Sequence, residues 1–274
     1  MSSLFYWAIG VAPSKDDYWT SEVQSGNPYS DKPTEPNWML EAITVALSTG
    51  PNGPSDGLGF SNASVILATV RSDGFTLQPD RPATIVDAAL LASITEGALP
   101  NVRSTSTTYH DYKAPTAYSW HYVLSVNLTK DFDMPVAGLG PAGAATSYAV
   151  FDFFAPGAPR AVAPAGGRFT VPAGQGQPSA PAMARDIQFL TLVPQLPGGW
   201  WLVGEKAKYV KMSKQRVTAM TFLADGFSAA VTSAPGEAVV FLVAPASGVV
   251  AEVPCTNTAS PATLACTAGA CTCA

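Results

Sequence analysis

The residues able to do chemistry lie near the start of the chain. Asp16, Asp17 and Asp56 stand beside turn residues, at positions that read as the ends of short extended runs, and Trp19 follows the aspartate pair with Trp38 further along. A carboxylate accepts hydrogen bonds from sugar hydroxyls, and the face of an indole covers the apolar face of a pyranose. Asp17, Trp19 and Asp56 are therefore the expected substrate-binding residues. Aspartate is also a preferred capping residue, a role that competes most strongly at Asp16, and burial in a core competes for the two tryptophans.

Other chemistries find little support. The sequence has two histidines, His110 in a polar stretch and His121 inside an apolar run, and it lacks P-loop and H-E-x-x-H patterns; Gly53 to Gly57 has the letters of G-x-S-x-G and Gly138 to Gly143 those of G-x-G-x-x-G, the latter running into a Gly/Ala/Pro loop with no helix pattern after it. The zinc-hydrolase and P-loop readings fall, the two short glycine matches are not taken as serine-hydrolase or dinucleotide sites, and no cofactor is expected. All four cysteines, Cys255, Cys266, Cys271 and Cys273, lie close to the C-terminus. Cys271-Thr-Cys273 is too tight for a zinc knuckle and no histidine follows Cys255, so the expectation is no metal and a small disulfide-tied tail. Asn62-Ala-Ser64 and Asn127-Leu-Thr129 fit the glycosylation pattern of an exported chain.

The 274 residues are 47% apolar and 13% charged, against about 25% charged in an average globular chain, which excludes disorder. The net charge is -5, so no basic footprint for nucleic acid exists. The apolar runs Leu4 to Ala12 and Ala238 to Pro245 fall far short of the roughly 18 residues of a membrane helix, and no membrane partner is expected. The first of these runs lacks the basic flank and cleavage site of a signal peptide. With 23 glycines and 24 prolines, the chain exceeds the usual share of turn formers, about 12%, which favours antiparallel sheet over a helical bundle.

Elements that position the candidate residues follow from pattern. Up to residue 93, Leu4 to Ile9 predicts a short helix, Asp16 to Thr20 a brief strand, and Thr34-Glu35-Pro36 a helix start, with Met39, Ala42, Ile43, Ala46 and Leu47 at helical spacing. Gly50 to Asp56 then predicts a strand, and Ser61 caps a helix that ends at Asp73-Gly74. Strand, helix, strand, helix is the order of a parallel sheet or barrel. Residues 94–114 read as a polar linker. From 115 to 253, nine strand-like runs with hairpin dipeptides such as Asp225-Gly226 and Pro235-Gly236 predict a β-sandwich, whose core holds Phe151, Phe153, Phe154, Trp200 and Trp201. Residues 254–274 form the cysteine-containing tail, expected to be poorly ordered except where cysteines tie it.

Several of these segments, in order, also resemble a known family. Ser14-Lys15-Asp16-Asp17-Tyr18-Trp19-Thr20-Ser21, Gly26-Asn27-Pro28-Tyr29, Glu35-Pro36, Leu47-Ser48-Thr49-Gly50-Pro51, Gly53-Pro54-Ser55-Asp56, Asp73-Gly74 and Arg81-Pro82-Ala83-Thr84 through Asp87 are similar to the last part of the α-galactosidase and raffinose-synthase barrel of glycoside hydrolase family 36 and its relatives. Trp120 to Leu124, Gly204-Glu205-Lys206 and Ala234-Pro235-Gly236-Glu237 are similar to the sandwich that follows that barrel.

The resemblance implies an α+β multi-domain chain, with residues 1–93 the last part of a (β/α)8 TIM barrel and 115–253 its antiparallel β-sandwich. It places Asp16-Asp17 on strand seven and Asp56 at the end of strand eight, at the mouth of the site. A retaining glycosidase needs two carboxylates about 5 to 5.5 Å apart, which this family supplies from K-x-D and R-x-S-D-D motifs on earlier strands. R-x-S-D-D does not occur, and the K-x-D spacing of Lys15-Asp16-Asp17 falls in the run that matches strand seven instead of an earlier strand; Ser14 to Tyr18 imitates the second motif but lacks its arginine. No catalytic residue is therefore assigned. The implied function is the C-terminal segment of an α-galactosidase-like glycoside hydrolase acting on α-galactosides, inactive alone. The alternative is a non-catalytic carbohydrate-binding or extracellular structural protein derived from the fold. The implied partners are a galactoside-like carbohydrate and either another chain or the missing N-terminal barrel half, and an extracellular setting is favoured.

Overall fold

The computed structural model describes residues 2–25, 34–97, 99–111, 116–140, 143–174, 187–246, 248–256, 261–267 and 269–274. The Gly26 to Tyr29 motif and most of the Pro172 to Ala184 loop lie outside them.

Aromatic and β-branched runs in the second half form antiparallel sheet. The largest sheet contains β1 (Thr84–Ile85), β2 (Val102–His110), β3 (Ala117–Val126), β5 (Ser147–Asp152), β6 (Ala161–Pro164) and β8 (Ile187–Pro194), in the order β1-β2-β3-β8-β5-β6. A two-stranded ribbon pairs β4 (Phe132–Pro135) with β7 (Arg168–Val171). A three-stranded sheet orders β13-β12-β9, from β9 (Trp201–Glu205), β12 (Ala238–Ala244) and β13 (Ala251–Thr256). The fourth sheet, β10-β11-β14-β15, is built from β10 (Val217–Leu223), β11 (Gly226–Val231), β14 (Ala262–Thr267) and β15 (Ala270–Cys273).

Alternation along β3 sends Tyr118, Trp120, Tyr122 and Leu124 to one face, and the Trp120 indole N–H donates to the Leu202 carbonyl on β9 at 2.7 Å, linking two sheets through the core. Phe151, Phe189, Phe227 and Phe241 are fully buried in the same cluster. Trp200 and Trp201 are buried with them, while Phe153 and Phe154 pack against the cluster's edge.

Among the described residues four helices precede β2: α1 (Ser2–Ala8), α2 (Trp38–Ala46), α3 (Ala63–Leu67) and α4 (Asp87–Glu96). Ala42, Ile43 and Ala46 on α2, and Leu47 that follows it, are buried at the spacing expected of an amphipathic helix and join the common core. Asn62, not Ser61, caps α3 through its side chain. The end of α3 and the residues after it are sewn to the loop beyond β9. Lys208 Nζ donates to the Leu67 and Val70 carbonyls at 2.6 and 2.7 Å, Arg71 Nη1 to the Gln215 carbonyl at 2.8 Å, and the Gln78 amide to Ser213 Oγ at 2.9 Å.

That loop is anchored by a buried ion cluster. Arg216 Nε meets Glu205 Oε2 at 2.7 Å, and its Nη2 meets Glu237 Oε1 at 2.6 Å, with Arg216 fully buried. Gly204 makes this geometry possible: it takes φ +109 where the β9–β12 register shifts, and an added Cβ would lie 2.5 Å from the Lys211 carbonyl oxygen.

The structure overturns the expected barrel. Sheets are antiparallel, and the strands expected at Asp16 to Thr20 and Gly50 to Asp56 reduce to one parallel bridge, Tyr18 to Pro54. Pro13, Pro51 and Pro54 lack the amide donors that a ladder needs, so neither run extends. No part of a (β/α)8 TIM barrel forms among the described residues, and the body is sandwich-like β structure. The TIM-barrel glycoside-hydrolase reading is corrected to antiparallel, sandwich-like sheet, and the secreted setting, read from the cysteines and sequons, finds no support in this fold. Residues 94–114, read as a polar linker, contain β2, nine residues paired along their length with β3. The tail forms β14 and β15, tied by Cys255–Cys273 and Cys266–Cys271.

Candidate functional site

The site is built around Tyr18. Its amide donates to the Gly53 carbonyl at 3.1 Å, and its own carbonyl accepts from the Ser55 amide at 2.9 Å, so the backbone is clamped on both sides of Pro54. The Tyr18 ring is buried in the core, where burial pushes its phenol pKa up and the charge of Asp56 adds to the rise. Extended backbone alternates side chains, so burying Tyr18 turns Asp17 and Trp19 away from the core.

Asp17 and Trp19 consequently line a common cleft of about 230 Å³, together with Lys15, Thr34, Glu35, Glu41 and Ser55. Asp17 is exposed and Trp19 half-buried, an arrangement that leaves part of an indole and one carboxylate free to meet solvent-borne hydroxyls. Lys15 and Glu41 form an ion pair at the rim, and the Glu35 carboxylate accepts from the Asn37 amide at 2.8 Å at the approach to α2.

Asp56 takes a different place. Its Oδ1 accepts from the Thr20 amide at 2.7 Å and from Gln24 Nε2 at 2.5 Å, and its Oδ2 from Thr20 Oγ1 at 2.7 Å. Thr20 Oγ1 accepts in turn from the Asn62 amide at 2.7 Å, and Gln24 Oε1 from the Gly57 amide at 2.7 Å. Asp56 is thus the centre of a knot joining the segment after Trp19 to the start of α3, and it does not line the cleft. The structure brings together two of the three expected residues and sets the third behind them as their support.

Lys15, Glu35 and Glu41 are cleft residues that sequence reasoning passed over. Glu35 and Glu41 carried the signal of acidic groups at a helix start, which reads as helix stabilisation and hides their second position. Trp38 begins α2, packs against the core and takes no place in the cleft. No group of three or more His, Cys, Asp or Glu suited to a metal occurs among the described residues, and none of their helices is long and apolar enough to cross a membrane. Compared with known proteins, the chain matches no family model and no curated protein.

Proposed function

We propose that the chain binds a galactoside-like carbohydrate at the Trp19 cleft without hydrolysing it. The observation that carries this reading is the clamp on Tyr18, which holds a partly open indole and an exposed carboxylate on the same side of one extended segment. The aromatic face suits the C–H face of a pyranose, and Asp17 suits its hydroxyls. The resemblance of Ser14 to Ser21 to α-galactosidase-like proteins supports the choice of sugar, and the absence of an R-x-S-D-D acid/base motif from the sequence supports binding without turnover.

Incubation of the purified chain with a chromogenic α-galactoside, alongside titration with raffinose, tests the reading. Saturable binding with no release of chromophore above a heat-killed control is expected. Turnover abolished by Asp17→Asn would show that an acid of the cleft is catalytic and that the non-hydrolytic reading is wrong.

A further inference from the structure

On the other side of the N-terminal segment, a second cavity of about 390 Å³ opens on the β2–β3 face, bounded by Trp7, Asp80, Arg81, Ser106, Thr108 and Ser119, with His110 at its rim. The register places Ser106 opposite His121 and Thr108 opposite Ser119, so four polar side chains share this face. Thr108 Oγ1 and Ser119 Oγ lie 2.8 Å apart. A Cβ built on Gly140 would stand 3.3 Å from His121 Cε1 and 3.6 Å from Ser106 Oγ, so the His121 ring and the Ser106 hydroxyl meet under the same backbone.

The charges here do not balance locally. Asp80 is already neutralised: its Oδ2 takes Lys214 Nζ at 2.8 Å and the Thr108 amide at 2.9 Å. Arg81 donates from Nη2 to the Leu139 carbonyl at 3.0 Å, has no carboxylate partner among the described residues, and keeps a buried Nε without a hydrogen-bond acceptor. His121 Nδ1, in a nearly fully buried ring, is likewise unpartnered. A half-buried guanidinium without a carboxylate partner among the described residues, beside hydroxyl groups and with the neighbouring Asp80 already paired to Lys214, favours an anion over a neutral polyol.

We infer that this cavity takes the carboxylate of a small organic acid, with Arg81 as counter-ion, Ser106 and whichever hydroxyl of the Thr108–Ser119 pair accepts within it as hydrogen-bond donors, and the Trp7 indole as a wall for the carbon skeleton. The inference is independent of sugar binding at Trp19. The sequence contains only two histidines, and both belong to this region, so imidazole NMR signals report on it alone.

The full chain is titrated with acetate and with galacturonate while both imidazoles are followed, using galactose as the uncharged control and chloride at matched ionic strength. Saturable shifts with the two acids are expected, and none with galactose or chloride. Arg81→Gln weakens acid binding about tenfold or more, and Ser106→Ala weakens it severalfold with the fold retained. Equal shifts with galactose, no saturable shift with either acid, or undiminished acid binding by Ser106→Ala and Arg81→Gln would each overturn the inference. Should Arg81→Gln not fold, Ser106→Ala and Trp7→Ala decide between these outcomes. Trp19→Ala leaves acid binding intact, which separates failure at this cavity from failure of the sugar site.

Discussion

Asp56 holds Thr20 twice, through its backbone amide and through its hydroxyl, both at 2.7 Å. The pair spans the turn that follows Trp19, so the carboxylate fixes the exit of the segment whose other residues line the cleft. Replacing Asp56 by Ala strips acceptors from two side chains and one amide, a loss of about 2 to 4 kcal/mol. Chemical denaturation of Asp56→Ala measures it, with Asp56→Asn expected to lose less because one acceptor oxygen survives. A stability unchanged within error in Asp56→Ala would show that the knot does not support the cleft.

The Arg216 cluster gives a sharper stability test. Arg216→Met leaves Glu237 without its cation and Glu205 with only Lys208 Nζ at 3.9 Å, which costs about 3 to 5 kcal/mol. Replacing all three by apolar residues of similar volume recovers most of that loss, because the desolvation penalty of the charges disappears with them. Urea midpoints of the single and triple variants compare the two outcomes.

Acid dependence follows from Glu237. Burial alone would raise its carboxyl, but hydrogen bonds from Arg216 and from the Ala234 and Ser72 amides outweigh burial and hold it at about 2, below the usual 4.5. A carboxyl with a depressed folded pKa contributes stability that is complete above the unfolded value and is lost as pH falls toward the folded one. Thermal midpoints should therefore fall between about pH 4.5 and pH 2, and Glu237→Gln should flatten that slope.

Lys211 predicts a slope at the opposite end. Burial pushes its ammonium down to about 8 against the pull of Glu205, from an ordinary 10.5, with Nζ donating to the Lys206 carbonyl at 3.1 Å and lying 4.8 Å over the Phe153 ring. Between those two values the unfolded chain binds more protons than the folded one, so stability rises with pH across that window. Lys211→Met should abolish the rise, measured as the denaturation midpoint at pH 8 and pH 10.

In the tail, Cys255–Cys273 closes a separation of 18 residues and Cys266–Cys271 one of 5. By loop-closure entropy the first contributes about 3 kcal/mol and the second about 2. Paired Cys→Ser variants, compared by denaturation, should lose stability in that order.

How much of this was legible in the sequence depended on how strongly each segment's pattern differed from a loop. The nine strand-like runs between 115 and 253 carry apolar alternation and turn dipeptides, and each contains a strand in the structure. β2 escaped because Arg103 to Thr108 is a run of Ser and Thr behind one Arg, polar enough to read as a linker. Thr105 and Thr107 nevertheless have the branched Cβ that suits a strand, and burial against β3 decides the matter. α4 also escaped: Leu90, Leu91 and Ile94 are exposed and only Ala89 is buried, so its period is blurred. The barrel reading failed for the opposite reason. Proline and glycine punctuation imitated strand-to-helix turns, while the extended runs between them were too short and too proline-rich to pair.

The cleft was half legible. Asp17 and Trp19 were visible as residue types and adjacent by alternation, but the inward role of Asp56 depended on Thr20 and Gln24 folding back over it, a contact across more than thirty residues that no local pattern announces.

The central claim is that Trp19 and Asp17 form a sugar-binding face, and calorimetric titration of the full chain with galactose, parent against Trp19→Ala, tests it most directly. A stacked indole and one carboxylate–hydroxyl contact together contribute about 2 to 4.5 kcal/mol, which places the dissociation constant in the millimolar range, about 4 kcal/mol corresponding to 1 mM. The account predicts weak saturable binding in the parent, lost in a Trp19→Ala variant whose denaturation midpoint is nearly unchanged. No heat of binding in the parent, together with unfolding of Trp19→Ala, would show that Trp19 is a packing residue and that the cleft is not a sugar site.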